Sequence, residues 1–321
     1  MKDNHEVLIA GSGASLDLLR IEFPSLRFFE FSTETIKHFS EWPKLRLLFQ
    51  AARFWRMIDT ERRETAVIVE REKIDRIISD NRYGCYHASV PAAIITHQLT
   101  IQGPQVVNRV NEKLIRRFNE SWVPDSPDHL LSGSLSVNKK IEGKFLGPLS
   151  RMKSSNTTHP SFQILGLVSG PEPARTDFEN LITSQLKNSG LSYKIVQGLP
   201  SSPKSSSTSL QHPSSNIFPH LPSSQLNELI EAAEVVICRS GYSTIMDLAA
   251  LKKKAIFIPT PGQTEQLYLA EEMQRKKIAP TMSQRQFHLQ KALDQLKDHS
   301  GFTEDYFSNT LLQTTLREFL D

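Results

Sequence analysis

This sequence has few cysteines, a small net charge and no long apolar segment. Its 321 residues include 2 cysteines, Cys85 and Cys238, each within apolar sequence, which argues against a disulfide framework or a metal cluster and favours a reducing compartment. The net charge of +3 is too small to demand a nucleic-acid partner. No run approaches the ~20 apolar residues that cross a bilayer, and the start MKDNHEV lacks the basic and apolar regions of a secretory signal. We therefore expect a cytoplasmic protein, dissolved or resting on the inner face of a membrane.

The composition, 38% hydrophobic and 23% charged, is that of a soluble globular protein long enough for two domains. Short apolar runs alternate with longer helical patterns, which predicts an α/β fold with parallel sheets and crossover helices. The predicted strands are EVLIA, LRFFEF, IDRIISD, PAAIIT and ESWVPD in the first half, then FQILGLV, YKIVQG, EVVICR and KAIFIP in the second.

A polar, proline-broken stretch at 147–162 separates the two sets of strands, and we interpret it as the linker between domains. The predicted domains are residues 1–150 and 151–302. Residues 199–215 are too poor in apolar side chains to pack and are expected to form a surface insertion. Residues 303–321 have helical apolar spacing, so a closing helix is expected to pack back on the first domain.

The stretch VLIAGSGASLDLL, at 7–19, resembles a dinucleotide-binding turn. Gly11 and Gly13 fit the first two glycines of G-x-G-x-x-G, and Glu30 lies where an acid would hold a ribose hydroxyl. Leu16 occupies the third glycine position, so the fingerprint is incomplete. A dehydrogenase is therefore one interpretation of this turn, and an ordinary crossover is the other.

The most informative sequence is residues 235–273. A strand ends at Cys238, a small polar turn follows, and a helix begins near Thr244, so free backbone N–H groups and a positive dipole end form an anion site. A second strand, KAIFIP, leads into a loop after which Glu265 and Gln266 open a helix. An adjacent acid and amide can bind several sugar hydroxyls.

RSGYSTIMDLA followed by PTPGQTEQ resembles the donor-binding half of the GT-B glycosyltransferases of family 28, of the MurG type. SGPEPAR, at 169–175, is similar to the glycine turn that opens the family's C-terminal domain, and ITHQL, at 95–99, to a loop facing the acceptor cleft. The resemblance implies two Rossmann-like domains and an inverting transfer that needs no metal and no cofactor. It implies donor-binding roles for Gly170, Arg175, Arg239, Ser240, Gly241, Tyr242, Ser243, Asp247, Glu265 and Gln266.

By this resemblance, the turn amides and hydroxyls of residues 240–243 hold the diphosphate, and Asp247 binds the ribose. Glu265 and Gln266 contact the transferred sugar, while Gly170 and Arg175 border the nucleotide. For Arg239 two roles stay open, a structural ion pair and a phosphate contact.

The family's N-terminal domain normally begins with a strand, a glycine-rich loop and a helix, and only then comes a strand similar to HEVLIAGSG. On this basis we expect GSGAS to be the second crossover of a truncated N-terminal domain, and the dehydrogenase interpretation is dropped. His97 and Asp80, each at the end of a predicted strand, are the candidate bases that take the proton of the acceptor hydroxyl.

Residues 41–63 mix apolar side chains, among them Trp42 and Trp55, with six lysines and arginines. Such a helix can lie on an anionic membrane, although an ordinary core-facing helix with a basic outer face is the commoner case.

The expected function is transfer of a hexose or N-acetylhexosamine from a UDP-sugar to an acceptor hydroxyl, lipid-linked or on a glycan. Two alternatives remain: a nucleotide-sugar epimerase of the same fold, and a noncatalytic nucleotide-sugar binding protein.

Overall fold

The computed structural model describes residues 5–32, 43–155, 160–199, 216–303, 306–307 and 309–321. It is an α/β fold in which every pairing between strands is parallel. The prediction of parallel sheets is therefore confirmed. The predicted insertion at 199–215 lies outside the described residues, apart from Leu199. Trp42 also lies outside the described residues.

The N-terminal part has two sheets. One has the order β1-β2 and the other the order β3-β4-β5-β6. β1 and β3 each pair on one side only among the described residues. The predicted truncation of this domain stays a prediction. These strands are β1 (Leu8–Gly11), β2 (Arg27–Glu30), β3 (Ile77–Asp80), β4 (Ala92–Ile95), β5 (Glu120–Val123) and β6 (Gly143–Phe145).

The C-terminal part has one sheet with the order β11-β10-β7-β8-β9. Its inner strand β10, between β11 and β7, is buried at five of its six positions because helices cover both faces of a parallel sheet. Its strands are β7 (Phe162–Leu167), β8 (Tyr193–Val196), β9 (Ile217–Phe218), β10 (Ala233–Cys238) and β11 (Lys254–Phe257). The nine predicted runs all contain strands, whereas the short β6 and β9 were missed by sequence reasoning.

The described helices follow the crossover pattern. They are α1 (Gly13–Glu22), α2 (Pro43–Glu72), α3 (Gln105–Ile115), α4 (Ala174–Lys187), α5 (Ser223–Glu231), α6 (Tyr242–Ala250), α7 (Thr264–Arg275), α8 (Leu289–Leu296) and α9 (Asn309–Leu320). In the described part of α2, Ile58 and Val69 are buried while Trp55 and Arg56 are exposed, so one face packs inward.

Apolar packing joins the two parts. Leu131 and Leu135, from the loop between β5 and β6, belong to the same buried cluster as Met246 on α6 and Leu269 on α7. α9 lies against the first part, where Phe319 meets Trp122 edge to face with ring centroids 5.1 Å apart. The predicted boundary at 150/151 falls between β6 and β7, where the chain passes from one sheet to the other.

Candidate functional site

The polar turn after β10 presents backbone donors at the start of α6. Gly241 is the N-cap residue, with no side-chain hydrogen bond capping the helix, and α6 begins at Tyr242. The first N–H groups of an α-helix have no partner within the helix, and together with the helix dipole they favour an anion. The strand, turn and helix predicted from the sequence are therefore in place, and the turn can receive a phosphate group.

Arg239 lies beneath this turn with a relative exposure of 1%. Its guanidinium donates to the carbonyl oxygens of Ile258 at 2.9 Å and Pro259 at 3.2 Å, and its Cζ lies 4.0 Å from the Phe178 ring centroid. The other terminal nitrogen donates to Ala174 O and Gln284 Oε1. Burial lowers the pKa of Arg239 to about 10, so the group stays cationic at neutral pH.

These contacts show how Arg239 is held. Its hydrogen-bond partners are carbonyl and amide oxygens, so hydrogen bonds to uncharged groups take the place of the ion pair suggested as its structural role. Its Nε is buried and has no hydrogen-bond partner. The cation therefore retains one unsatisfied donor, and a phosphate contact stays a prediction.

The loop after β11 is tied to the same turn. The Ser240 hydroxyl donates to the carbonyl of Gln266 at 2.7 Å, and the backbone N–H of Thr260 donates to Gln266 Oε1 at 2.8 Å. The Thr260 hydroxyl is buried without a hydrogen-bond partner. Sequence reasoning missed Thr260, although its place between two prolines in PTPG could have marked it. Because Gln266 Oε1 already accepts the hydrogen bond from the Thr260 N–H, only the side-chain amide nitrogen of Gln266 is left for the predicted contact with the sugar.

Tyr242 reaches out of the turn into the first domain. Its side chain is 4% exposed, and its hydroxyl donates to the carbonyl of Pro124 at 2.7 Å. Burial raises the pKa of Tyr242 well above its ordinary value, and the nearby Asp125 carboxylate adds to that effect. The hydroxyl that the sequence assigned to the diphosphate is therefore used inside the protein, while the backbone N–H of Tyr242 stays a candidate donor.

His97 meets the second domain at this point. Its ring stacks on the Tyr242 ring with centroids 4.2 Å apart and an interplanar angle of 13°. Its Nε2 lies 2.7 Å from Oε1 of Glu265, at the start of α7. Two residues that the sequence assigned to opposite sides of the cleft are thus in direct contact.

The loop that carries His97 is fixed by asparagine side chains. Asn108 both accepts from the N–H of Ile101, at 2.7 Å, and donates to its carbonyl, at 2.9 Å. Asn111 donates to the carbonyl of Gln98 at 2.9 Å. The Nε2 end of His97 is therefore presented to Glu265 by a backbone with little freedom.

Asp80 ends β3 and is exposed to solvent, yet the surrounding protein removes enough hydration to raise the pKa of its carboxyl. A smaller opposing effect comes from His97, which places the two candidate bases within electrostatic reach. Their assignment as bases stays a prediction.

Asp247 lies on α6 beside the linker. Its carboxylate accepts a hydrogen bond from the Ser150 hydroxyl at 2.6 Å. Desolvation raises the pKa of Asp247, partly opposed by that hydrogen bond and by Arg151. The Asp247 carboxylate is thus desolvated, and one of its oxygens accepts from a neutral hydroxyl, which suits a contact with the ribose. That contact stays a prediction.

The turn after β7 carries the two remaining predicted residues. Gly170 has φ +113°, and a Cβ at this position would lie 3.9 Å from the Thr260 hydroxyl oxygen, so the two loops approach each other. Arg175 is 9% exposed and pairs with Glu172 at 2.5 Å and Glu179 at 2.9 Å. Because two carboxylates already neutralise Arg175, its predicted place beside the nucleotide does not make it a free cation for phosphate. Ser243 is exposed on the first turn of α6.

The structure brings most of the predicted donor residues to one edge of the second sheet, at the start of α6 and α7, with His97 opposite. In the described part of the chain, no group of three or more metal-ligating side chains occurs. No helix among the described residues has both the length and the apolar content to cross a membrane.

Comparison with known proteins shows which family the C-terminal part of the chain resembles. Residues 174–311 match the model of the glycosyltransferase family 28 C-terminal domain. Over 219 residues the chain is 25% identical to a UDP-N-acetylglucosamine–N-acetylmuramyl-(pentapeptide) pyrophosphoryl-undecaprenol N-acetylglucosamine transferase of Saccharopolyspora erythraea. This match covers 63% of the chain and 56% of that relative, so it spans little more than half of the relative's length.

Solved structures show the fold. The calicheamicin glycosyltransferase CalG4 is similar at a TM-score of 0.60 and 12% identity, with 100% of this chain and 95% of that chain covered. MurG of Acinetobacter baumannii is similar at a TM-score of 0.54 and 12% identity, with 98% and 99% covered. Residues 174–311 are therefore similar to the glycosyltransferase family 28 C-terminal domain, the chain resembles MurG-type transferases over part of its length, and its fold is the GT-B fold of these solved structures.

Proposed function

We propose that this protein transfers a hexose or N-acetylhexosamine from a nucleoside diphosphate sugar, UDP-linked in the first instance, to an acceptor hydroxyl. The observation that carries the proposal is the start of α6. Its N–H groups, which no side chain caps, follow Arg239, whose buried Nε has no partner, and the equally unpaired Thr260 Oγ1 lies on the loop that Gln266 ties to this turn. Buried polar groups are rarely left unpaired, so their concentration here favours a bound anion.

The chemistry follows from the charge of the leaving group. As the bond between the anomeric carbon and the diphosphate breaks, negative charge grows on the diphosphate oxygens. Fixed N–H dipoles at a helix N-terminus stabilise that charge without reorganising, which lowers the barrier. Asp247 would hold the ribose, and the amide nitrogen of Gln266 would contact the sugar. This assignment gives the two loops separate parts of one donor.

A charge placed in the turn tests the proposal. Ser243 and Ser224 are both exposed and are both the second residue of their helices, α6 and α5. Aspartate at a helix start stabilises the helix by about 0.3–1 kcal/mol, so Ser243→Asp should fold normally. It should weaken UDP binding at least tenfold by calorimetry, because the new carboxylate repels the diphosphate. Ser224→Asp is the matched control and should bind UDP as the unaltered protein does.

Products separate the remaining alternatives. Incubation with isotopically labelled UDP-N-acetylglucosamine, other UDP-hexoses and a panel of hydroxyl acceptors should release UDP and label an acceptor. Conversion of the sugar without an acceptor would indicate an epimerase, and UDP binding without any turnover would indicate a binding protein. If neither UDP nor a UDP-sugar bound the full chain, the proposal would be abandoned.

A lipid-linked acceptor is the finer part of the proposal, supported by the substrate named for the Saccharopolyspora relative. The outer face of α2 exposes Trp55 and Arg56, whereas Arg62 and Arg63 pair with Asp59 at 2.9 and 2.5 Å. The local charge is thus partly compensated. Sedimentation with vesicles rich in anionic phosphatidylglycerol at low salt tests this face, and a protein that stays in the supernatant would exclude membrane binding through it.

A further inference from the structure

The contact between His97 and Glu265 joins the two domains across the cleft. The hydrogen bond is short, with 2.7 Å between Nε2 and Oε1, and the His97 side chain is 18% exposed. Within the described part of the chain, this is the one hydrogen bond that the His97 ring makes. A carboxylate oxygen can only accept, so Nε2 carries the hydrogen of this bond.

The orientation of the ring follows from its neighbours. In a neutral imidazole with its hydrogen on Nε2, the lone pair is on Nδ1. The Tyr242 ring covers one face of the imidazole at 4.2 Å, and Tyr242 is itself held by its hydrogen bond to Pro124. Stacking and the Glu265 contact together hold the ring so that Nδ1 is the nitrogen left for another partner.

We infer that Glu265 is a positioning residue, which fixes His97 so that Nδ1 removes the proton of the acceptor hydroxyl. This rests on the proposed function and replaces the predicted contact of Glu265 with the sugar. The acceptor proton passes to Nδ1 while the acceptor oxygen bonds to the anomeric carbon. The bond from that carbon to the diphosphate breaks, and its electron pair leaves with the diphosphate at the start of α6.

The arrangement links base activation to domain closure. His97 belongs to the first domain, whereas Glu265 and Tyr242 belong to the second, so the base is oriented only when the domains meet as they do here. A similar logic, in which an acid holds the tautomer of a catalytic histidine, is established for other hydroxyl-activating sites. Without Glu265, His97 could still accept a proton, but its ring would no longer be held in the orientation that points Nδ1 at the acceptor hydroxyl.

The hydrogen bond can be observed without substrate. The Nε2 proton should give a solvent-protected downfield resonance in the proton NMR spectrum of the full chain, identified by its loss in His97→Gln. It should disappear in Glu265→Ala and remain in Glu271→Ala, which removes an exposed carboxylate from the same helix. Absence of the resonance from the unaltered protein would overturn the inference.

Kinetics with the UDP-sugar that is turned over then test the role. Glu265→Ala should lower kcat for UDP release about 10- to 100-fold, within the range that general base catalysis supplies, and change KM less than threefold. Glu265→Gln, which keeps an accepting oxygen, should recover part of kcat. A rise in KM with unchanged kcat would show Glu265 to be a sugar ligand and overturn the inference. If the unaltered protein did not bind UDP, the proposed function itself would be wrong. Calorimetry with UDP therefore distinguishes failure of the proposed function from failure of the inference about Glu265.

Discussion

Replacing Tyr242 by phenylalanine separates two roles that one residue of the phosphate turn can have. The sequence places its hydroxyl on the donor diphosphate, whereas in the structure that hydroxyl donates to the carbonyl of Pro124 in the other domain. Phenylalanine keeps the ring, and with it the stacking on His97 at 4.2 Å. The substitution therefore removes one hydrogen bond between the domains and leaves the turn amides unchanged.

The magnitude follows from burial. Tyr242 is only 4% exposed. Removing its hydroxyl therefore leaves the carbonyl oxygen of Pro124 buried and without this hydrogen-bond donor. An unsatisfied buried acceptor costs about 1–3 kcal/mol. At about 2–4 °C per kcal/mol for a large domain, the Tm should fall by roughly 2–12 °C. Because burial keeps the pKa of Tyr242 well above its ordinary value of 10.0, the phenol stays neutral and this difference should be the same at about pH 6 and about pH 9.

The assay pairs thermal unfolding with UDP calorimetry on the full chain. Tyr242→Phe should lower the Tm and change the UDP affinity less than about twofold. Tyr193→Phe, a partly buried tyrosine on β8, is the control for loss of a hydroxyl outside the turn and should alter neither. A tenfold weaker UDP affinity, worth about 1.4 kcal/mol, with an unchanged Tm would refute the reasoning and place the hydroxyl on the diphosphate.

Three further substitutions probe the same edge of the sheet. Because desolvation raises the folded-state pKa of Asp247, the protein loses stability as the pH rises from the ordinary pKa of 3.8 through the raised pKa. Asp247→Asn should therefore have a higher Tm than the unaltered protein at pH 7, with no such difference below about pH 3.8, and it should bind UDP more weakly. A lower Tm of the variant at pH 7 would contradict this. Gln266→Ala removes both the oxygen that holds Thr260 N–H and the free amide nitrogen, so UDP-sugar affinity measured by calorimetry should fall several-fold more than UDP affinity; equal losses would exclude a sugar contact. Arg239→Met should cost about 1–3 kcal/mol in a denaturant titration because it leaves buried carbonyl oxygens without this donor, and an unchanged midpoint would show that the cation is not structural.

The sequence by itself determined the local pattern. Nine apolar runs predicted nine of the eleven strands found in the described residues, because a parallel strand buried on both faces needs an uninterrupted apolar segment. Glycine and serine between β10 and α6 predicted the anion turn, because the start of a helix and the residues that allow a tight turn are local properties. β6 and β9, of three and two residues, were too short to leave a periodic signal.

The tertiary structure decided how the site residues are used. Tyr242 bonds to Pro124 across 118 positions of the chain, and His97 meets Glu265 across 168. Arg239 is buried against Phe178 because α4 folds over the end of β10. A sequence motif gives the side chains that a turn offers, but the packing of the two domains decides which of their polar atoms are already bonded and which are left for a ligand. That packing depends on contacts between residues far apart in the chain, which local spacing does not encode.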